Sequence, residues 1–260
     1  MGTEYRLEAD VAVVTLNRPE RFNAISAEMS GTLVAALERS GTEARAAVVT
    51  GEGKAFSSGA DLAELLDDYE ANGPDLGRIL DTVFHPVVEA LTNCRVPTVA
   101  AINGVAAGAG LGLALGCDLR VMAQSASMTS AFTAIGLVPD SGTTWLLPAH
   151  VGVSTALELT FTNRRVRAEE ARELGLCVEV VDDDQVVRRA VEIAASLADL
   201  VPDSLVATRK LIRGSAEAGF DRALASERAE QARLGAAPAH MEGVRAFIEK
   251  RPPDYRSAGT

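Results

Sequence analysis

The sequence predicts an α/β fold, and three observations carry that prediction. Short β-rich runs alternate with helical patterns up to about residue 181. Beyond Asp182 the pattern is helical throughout. The chain has 260 residues, 47% apolar and 23% charged, so it has the size and composition to build one large buried core. Strand–helix alternation of this kind favours parallel strands joined by right-handed crossovers.

Residues 11–16 read as a strand, closed by Asn17-Arg18-Pro19-Glu20. Ser26 is placed to cap a helix reaching about Arg39, with Met29, Leu33 and Leu37 on one face. Residues 46–50 form the next strand, ended by Gly51-Glu52-Gly53. Asp61 opens a short helix, and Asn72-Gly73-Pro74 marks a loop before a helix over 76–93. Residues 98–116 are almost wholly apolar and long enough to suggest a membrane span. Pro97, the Asn103-Gly104 turn signal and the abundance of Gly and Ala argue instead for a strand over 98–102, a turn, and a buried helix from about Gly108. A strand over 118–123 follows, then helices over 141–163 broken at Gly152. A short helix over 168–174 stops at Gly175, and a strand covers 177–181. Helices over 183–200, 204–217, 220–234 and 238–250 complete the chain. The expected organisation is a core over 1–198 and a helical region over 199–260, available to pack on that core or to form an oligomer interface.

Twenty-five basic against thirty-six acidic residues give a net charge of −11, which disfavours nucleic acid as a partner. Cys94, Cys117 and Cys177 are odd in number and lack C-x-x-C spacing, as expected of free thiols in a reducing compartment. His85, His150 and His240 match no zinc spacing, so no metal is expected. Met1-Gly2-Thr3-Glu4-Tyr5 has neither a basic nor an apolar leader region, and a cytoplasmic location is expected. A dinucleotide fingerprint fails because Leu113 stands where its third glycine belongs. Lys54 precedes Ala55 rather than Ser or Thr, so there is no P-loop, and neither G-x-S-x-G nor H-E-x-x-H occurs.

Three segments remain. Ala55-Phe56-Ser57-Ser58-Gly59-Ala60-Asp61-Leu62 and Ala101-Ile102-Asn103-Gly104-Val105-Ala106-Ala107-Gly108-Ala109-Gly110 are small-residue turns that each lead into a helix. Unpaired N–H groups at such ends attract negative charge, and two converging sets would make an oxyanion hole. Read from the residues alone, tight structural packing is the favoured explanation, since most Gly-rich turns are structural. The third is Ile135-Gly136-Leu137-Val138-Pro139-Asp140-Ser141-Gly142-Thr143. A carboxylate desolvated there would carry a raised pKa and could move a proton. Asp140 could also simply cap the following helix.

In order and spacing, these segments resemble the crotonase superfamily, the enoyl-CoA hydratase/isomerase family. The resemblance runs from Val11-Ala12-Val13-Val14-Thr15-Leu16-Asn17-Arg18-Pro19 to Ala246-Phe247-Ile248-Glu249-Lys250-Arg251. It implies a spiral of ββα units with a helical C-terminal region that builds a homotrimer or a dimer of trimers. It also implies an acyl-CoA thioester as ligand, coenzyme A being part of the substrate and no separate cofactor being needed. The family's oxyanion donors match the N–H groups of Ala60 and Ala109. Arg21, Phe22, Asn23 and Ala24, with Ser58, Ala60 and the adjoining Asp61, match the stretch around the adenine and pantetheine. Phe247 and Lys250 match C-terminal positions that approach the CoA from a neighbouring helix or subunit.

Two departures bear on the reaction. Hydratases of this family carry a glutamate where this chain has Gly112, and a second eight residues before Asp140, where it has Phe132. Neither residue exchanges a proton. Asp140 matches the acid/base carboxylate of Δ3,Δ2-enoyl-CoA isomerases, and residues 135–148 look most like 1,2-epoxyphenylacetyl-CoA isomerases. The resemblance therefore implies an isomerase with a single carboxylate. A hydratase-like lyase, a hydrolase or dehalogenase with Asp140 as nucleophile, and a non-catalytic acyl-CoA-binding protein are the alternatives. Asp61 is expected to cap a helix, Trp145 to sit in the core, and Arg164, Arg165 and Arg167 to form a solvated or contact face.

Overall fold

A computed structural model describes residues 2–64 and 73–258, apart from the side chains of 216–218. Strand β1 (Thr3–Glu8) pairs antiparallel with β2 (Val11–Leu16), Thr3 facing Leu16. The Ser26 hydroxyl accepts the Met29 N–H and starts helix α1 (Ala27–Glu43), which buries Met29, Leu33 and Leu37. Strand β3 (Ala46–Gly51) then runs parallel to β2. With β5 (Thr98–Ile102), β7 (Leu119–Ala123) and β10 (Glu179–Val181) these strands form a six-stranded sheet of order β1-β2-β3-β5-β7-β10. Its inner strands β3 and β5 are buried along their whole length, which is why they read as unbroken apolar runs.

The second sheet consists of β4 (Ala55–Ser57), β6 (Val105–Ala107), β8 (Ser127–Thr129) and β9 (Val166–Arg167), in that order. Three of its strands follow a strand of the first sheet within a few residues, and a helical segment comes next each time. After β4 this segment comprises α2 (Leu76–Ile79), a π-turn (Leu80–Phe84) and α3 (His85–Thr92). After β6 it is α4 (Ala109–Gly116), and after β8 it is α5 (Thr143–Thr162). The result is the spiral of ββα units that the resemblance implied. All eight residues of α4 are buried, so it is apolar on every side. No helix among the described residues is long and apolar enough to cross a membrane.

Helix α6 (Ala168–Glu173) precedes β10, and α7 (Val186–Ala198) packs across β2, β3, β5 and β7. Helices α8 (Pro202–Ala218), α9 (Phe220–Gly235) and α10 (Pro238–Glu249) complete the chain. A buried arginine ties α8 to the rest. Arg209 Nε lies 2.9 Å from Asp118 Oδ1, and its Nη atoms donate to the carbonyls of Cys94 at 2.8 Å and Val96 at 2.9 Å. Asp118 in turn accepts the Thr98 N–H at 2.9 Å, so one carboxylate joins the start of β5 to the helical region.

One expectation needs correction. Trp145 is 42% exposed and lines a surface hollow with Val88 and Arg209, because Gly142 and the first turn of α5 turn it outward. The solvated face of Arg164, Arg165 and Arg167 is present, Arg164 pairing on it with Glu158 at 2.6 Å and Glu170 at 2.8 Å. The expected helix from Asp61 shows only turn up to Glu64, and its continuation falls outside the described residues. Gly152 does interrupt the helix, with φ of 75° and ψ of 161°.

Replacing Arg209 by Met should cost about 1–3 kcal/mol, since it leaves the Cys94 and Val96 carbonyls without their donor and Asp118 with Arg213 alone as its cation. Urea denaturation checks this, and an unchanged midpoint would mean that α8 is held by packing alone.

Candidate active site

The site is built on a polar scaffold around the loop that follows β2. Asn23 is fully buried, and its amide donates to the carbonyls of Glu52 at 2.9 Å and Ala55 at 2.7 Å. Its Oδ1 accepts the Arg18 N–H at 2.9 Å. Phe22 and Asn23 both adopt positive φ, near 51° and 55°, so the loop doubles back tightly. The Arg18 guanidinium donates to the Ala24 carbonyl at 2.9 Å and to Asp61 Oδ2 at 2.8 Å. Asp61, only 7% exposed, is thus the counter-ion of Arg18, and the helix it was expected to cap lies outside the described residues.

This scaffold presents the turn after β4. The Ser57 hydroxyl donates to the Asn23 carbonyl at 2.8 Å and accepts the Gly59 N–H at 3.2 Å. The Ser58 N–H donates to the Phe22 carbonyl at 2.9 Å. An isolated parallel bridge joins Ile25 to Ala60, made by the Ile25 N–H to Gly59 and the Asp61 N–H to Ile25. In such a bridge the central residue's own N–H points the other way. Gly59 has φ of 92°, and a Cβ there would lie 2.8 Å from the Ala107 carbonyl oxygen and 3.0 Å from the Ala109 nitrogen. The two small-residue turns are therefore in direct contact, and only glycine allows it. Ala109 is the first residue of α4, where N–H groups have no intrahelical acceptor. Neither the Ala60 nor the Ala109 N–H donates to a protein acceptor among the described residues.

Ala60 and Ala109 line one cavity of about 580 Å³. Its walls are mainly apolar, with Leu76, Leu80, Phe84, Phe132, Leu137 and Val138. Asp140 lines the same cavity as its sole carboxylate among the described residues, and His85 is its other titratable group. Burial pushes the Asp140 carboxyl up from its ordinary value, while the Ser141 hydroxyl bond and His85 draw it partly back. Ser141 Oγ donates to Asp140 Oδ1 at 2.7 Å. His85 itself has Nδ1 3.3 Å from Asp81 Oδ1.

The cavity thus gathers Ser58, Ala60, Ala109 and Asp140 from the expected residues. Arg21, Phe22 and Ala24 form the neighbouring loop without lining the cavity. Phe247 is 85% exposed and Lys250 ends α10 with φ of 53°, and the single chain places neither at the cavity. Two functional details were not read from the sequence: the Arg18–Asp61 ion pair and the Ser141–Asp140 hydrogen bond. The adjacency of Asp140 and Ser141 was the only available signal for the second.

The sequence pattern of the enoyl-CoA hydratase/isomerase family matches residues 6–258. The chain belongs to the enoyl-CoA hydratase/isomerase family. Among curated relatives of this family, "Probable enoyl-CoA hydratase" of Rhodobacter capsulatus is 41% identical over 96% of each chain. The 1,2-epoxyphenylacetyl-CoA isomerase of Escherichia coli is 38% identical, again over 96% of each. An enoyl-CoA hydratase structure from Bacillus anthracis superposes with a TM-score of 0.91 at 31% identity, covering 98% of this chain and 99% of that one. This member of the enoyl-CoA hydratase/isomerase family keeps the small-residue turns but has no carboxylate at 112 or 132. Gly112 is also sterically closed, for a Cβ there would lie 2.5 Å from the Ser141 carbonyl oxygen and 2.7 Å from its Cβ.

Asn23→Ala should cost about 1–3 kcal/mol for each buried backbone group it leaves unpaired. A urea midpoint within error of the parent would show that solvent replaces those bonds.

Proposed function

We propose that this protein shifts a carbon–carbon double bond along an acyl-CoA thioester, with Asp140 as the single acid and base. The observation that carries the reading is the lone Asp140 carboxylate on the wall of an apolar cavity that Ala60 and Ala109 also line. Asp140 takes a proton from one carbon of the acyl chain, breaking the C–H bond and forming O–H. The electron pair moves into a dienolate whose oxygen rests on the N–H groups of Ala60 and Ala109. The Asp140 carboxylic acid then returns the proton two carbons along, and the thioester carbonyl re-forms. One carboxylate suffices because both carbons can present the same face. Oxyanion donors of this kind contribute about 10²–10³-fold each, and general acid–base transfer about 10²–10⁴-fold.

Hydration by a pair of glutamates lacks its residues here. A glutamate side chain at position 112 would have to displace the Ser141 backbone, and therefore Asp140 with it. The loop of Arg21, Phe22 and Ala24, beside Ser58, is the proposed cradle for the nucleotide end of CoA. Asp61 contributes to it by holding Arg18 against the Ala24 carbonyl. Phe247, Ile248, Met241 and Phe220 expose apolar surface on α9 and α10, which supports a homotrimer or dimer of trimers in which Phe247 and Lys250 reach a neighbour's CoA. The buried thiols of Cys94, Cys117 and Cys177 fit a cytoplasmic protein, burial pushing Cys117 up to about 12.

Turnover of 3-enoyl-CoA and 2-enoyl-CoA thioesters in D₂O tests the reading, with the parent beside Asp140→Asn. Deuterium entry with double-bond migration should fall by about 10²–10⁴-fold in the variant, with CoA affinity kept. Rapid formation of 3-hydroxyacyl-CoA by the parent would sink the proposal.

The pH profile gives a second test. Asp140 must be ionised to take the first proton, so activity should fall on the acid side with a midpoint above the ordinary 3.8. Stability follows the same sign. A folded-state pKa raised above the unfolded one makes the ionised group a cost that is fully present above the folded value and absent below the unfolded one. Asp140→Asn should therefore melt higher than the parent at neutral pH, with the gap closing near pH 3.8. Differential scanning calorimetry across pH reads this, and a gap independent of pH would contradict it.

A further inference from the structure

Ser141 combines three features that packing alone does not explain together. It is 1% exposed, its φ is 51°, and its hydroxyl is the sole hydrogen-bond partner of the Asp140 carboxylate among the described residues. A left-handed backbone costs an L residue about 1–2 kcal/mol that glycine would not incur. The next residue, Gly142 at φ of 74°, shows the chain using glycine for the same requirement one position on. A serine rather than a glycine at the strained position points to a use for its side chain.

The geometry points to Ser141 as the positioning residue of Asp140: its hydroxyl holds Oδ1 and leaves Oδ2 as the oxygen that takes and returns the substrate proton. The hydroxyl is itself held in place. Gly112 of α4 meets the Ser141 carbonyl and Cβ closely enough that neither can swing toward it. The Thr143 N–H donates to the Asp140 carbonyl at 2.9 Å and pins the loop from the α5 side. A carboxylate anchored through one oxygen keeps one rotamer, so its second oxygen stays at one place between the two carbons that exchange the proton. The anchor also favours the ionised form that starts the reaction. The titratable group facing Asp140 from the neighbouring elements is His85 of α3, with Asp81 behind it. Helix α4, residues 131–139 and the first turn of α5 present no other titratable side chain to the cavity.

This inference rests on the isomerase reading, and its test separates the two. Ser141→Ala removes the hydroxyl and keeps Cβ. Ser141→Gly removes it while also relieving the backbone, so it protects against a folding failure. Both variants should move the acid limb of kcat/KM up by about one pH unit, since a hydrogen bond to a charged group is worth about 1.5–3 kcal/mol. Proton exchange into substrate should slow by about tenfold with KM unchanged, as expected for an interaction that acts on the reacting group. Denaturation across pH, with each variant compared with its Asp140→Asn double mutant, reads the same shift without substrate. A limb and a stability profile that stay in place in both variants would overturn the positioning role, whatever happens to the rate. If Asp140→Asn alone turns over normally, the isomerase reading fails first. If that variant is dead and the Ser141 limbs do not move, only the positioning role fails.

Discussion

The close approach of the Asp140–Gly142 loop to helix α4 governs the rest of the site. Ser141 sits against Gly112 with no room for a Cβ between them, so α4 must carry a glycine there and the loop must take a left-handed turn. Both conditions hold, and together they fix where Asp140 stands on the cavity wall. The same contact closes the position from which another carboxylate could reach the cavity. The absence of a side chain at 112 and the placement of Asp140 are therefore two sides of one packing contact.

Around that contact the site is held by polar groups that serve backbone rather than ligand. Asn23 satisfies three main-chain partners, and Arg18 joins the Ala24 carbonyl to Asp61. These bonds let turns rich in small residues stay rigid without side chains of their own to pack. Farther away, Arg209 and Asp118 do the same for the first residues of β5 and helix α8. The cavity can then be mainly apolar because the polar work is done behind its walls.

The larger sheet was legible because its parallel inner strands are apolar runs bounded by turn residues. Its edge strand β1 was missed, since Thr3–Glu8 is mostly polar and carries only one bonded neighbour. The second sheet left almost no local signal. Its strands are two or three residues long, and β4, β6 and β8 lie inside stretches rich in small residues that also read as turns. Only the resemblance implied it. Asp140 was found because a carboxylate among apolar residues is chemically conspicuous. The Arg18–Asp61 ion pair was not legible because the two residues are 43 positions apart. Trp145 was misplaced because aromaticity predicts burial on average and the twist at Gly142 decides otherwise. Phe247 and Lys250 lie away from the cavity in the single chain, so any contribution they make belongs to the assembly.

The two proposed oxygen-binding groups are main-chain amides, at Ala60 and Ala109. An amide hydrogen is present in every residue except proline, so almost any mutation of these codons leaves the donors in place. Selection therefore has little hold on that half of the site through side chains. The opposite wall behaves differently, for there each codon writes a new functional group. Chemical divergence from this scaffold would be concentrated at cavity-lining positions such as 132 and 140, where the residues are Phe and Asp. A lineage built this way can exchange one reaction for another while its means of stabilising the intermediate stays the same.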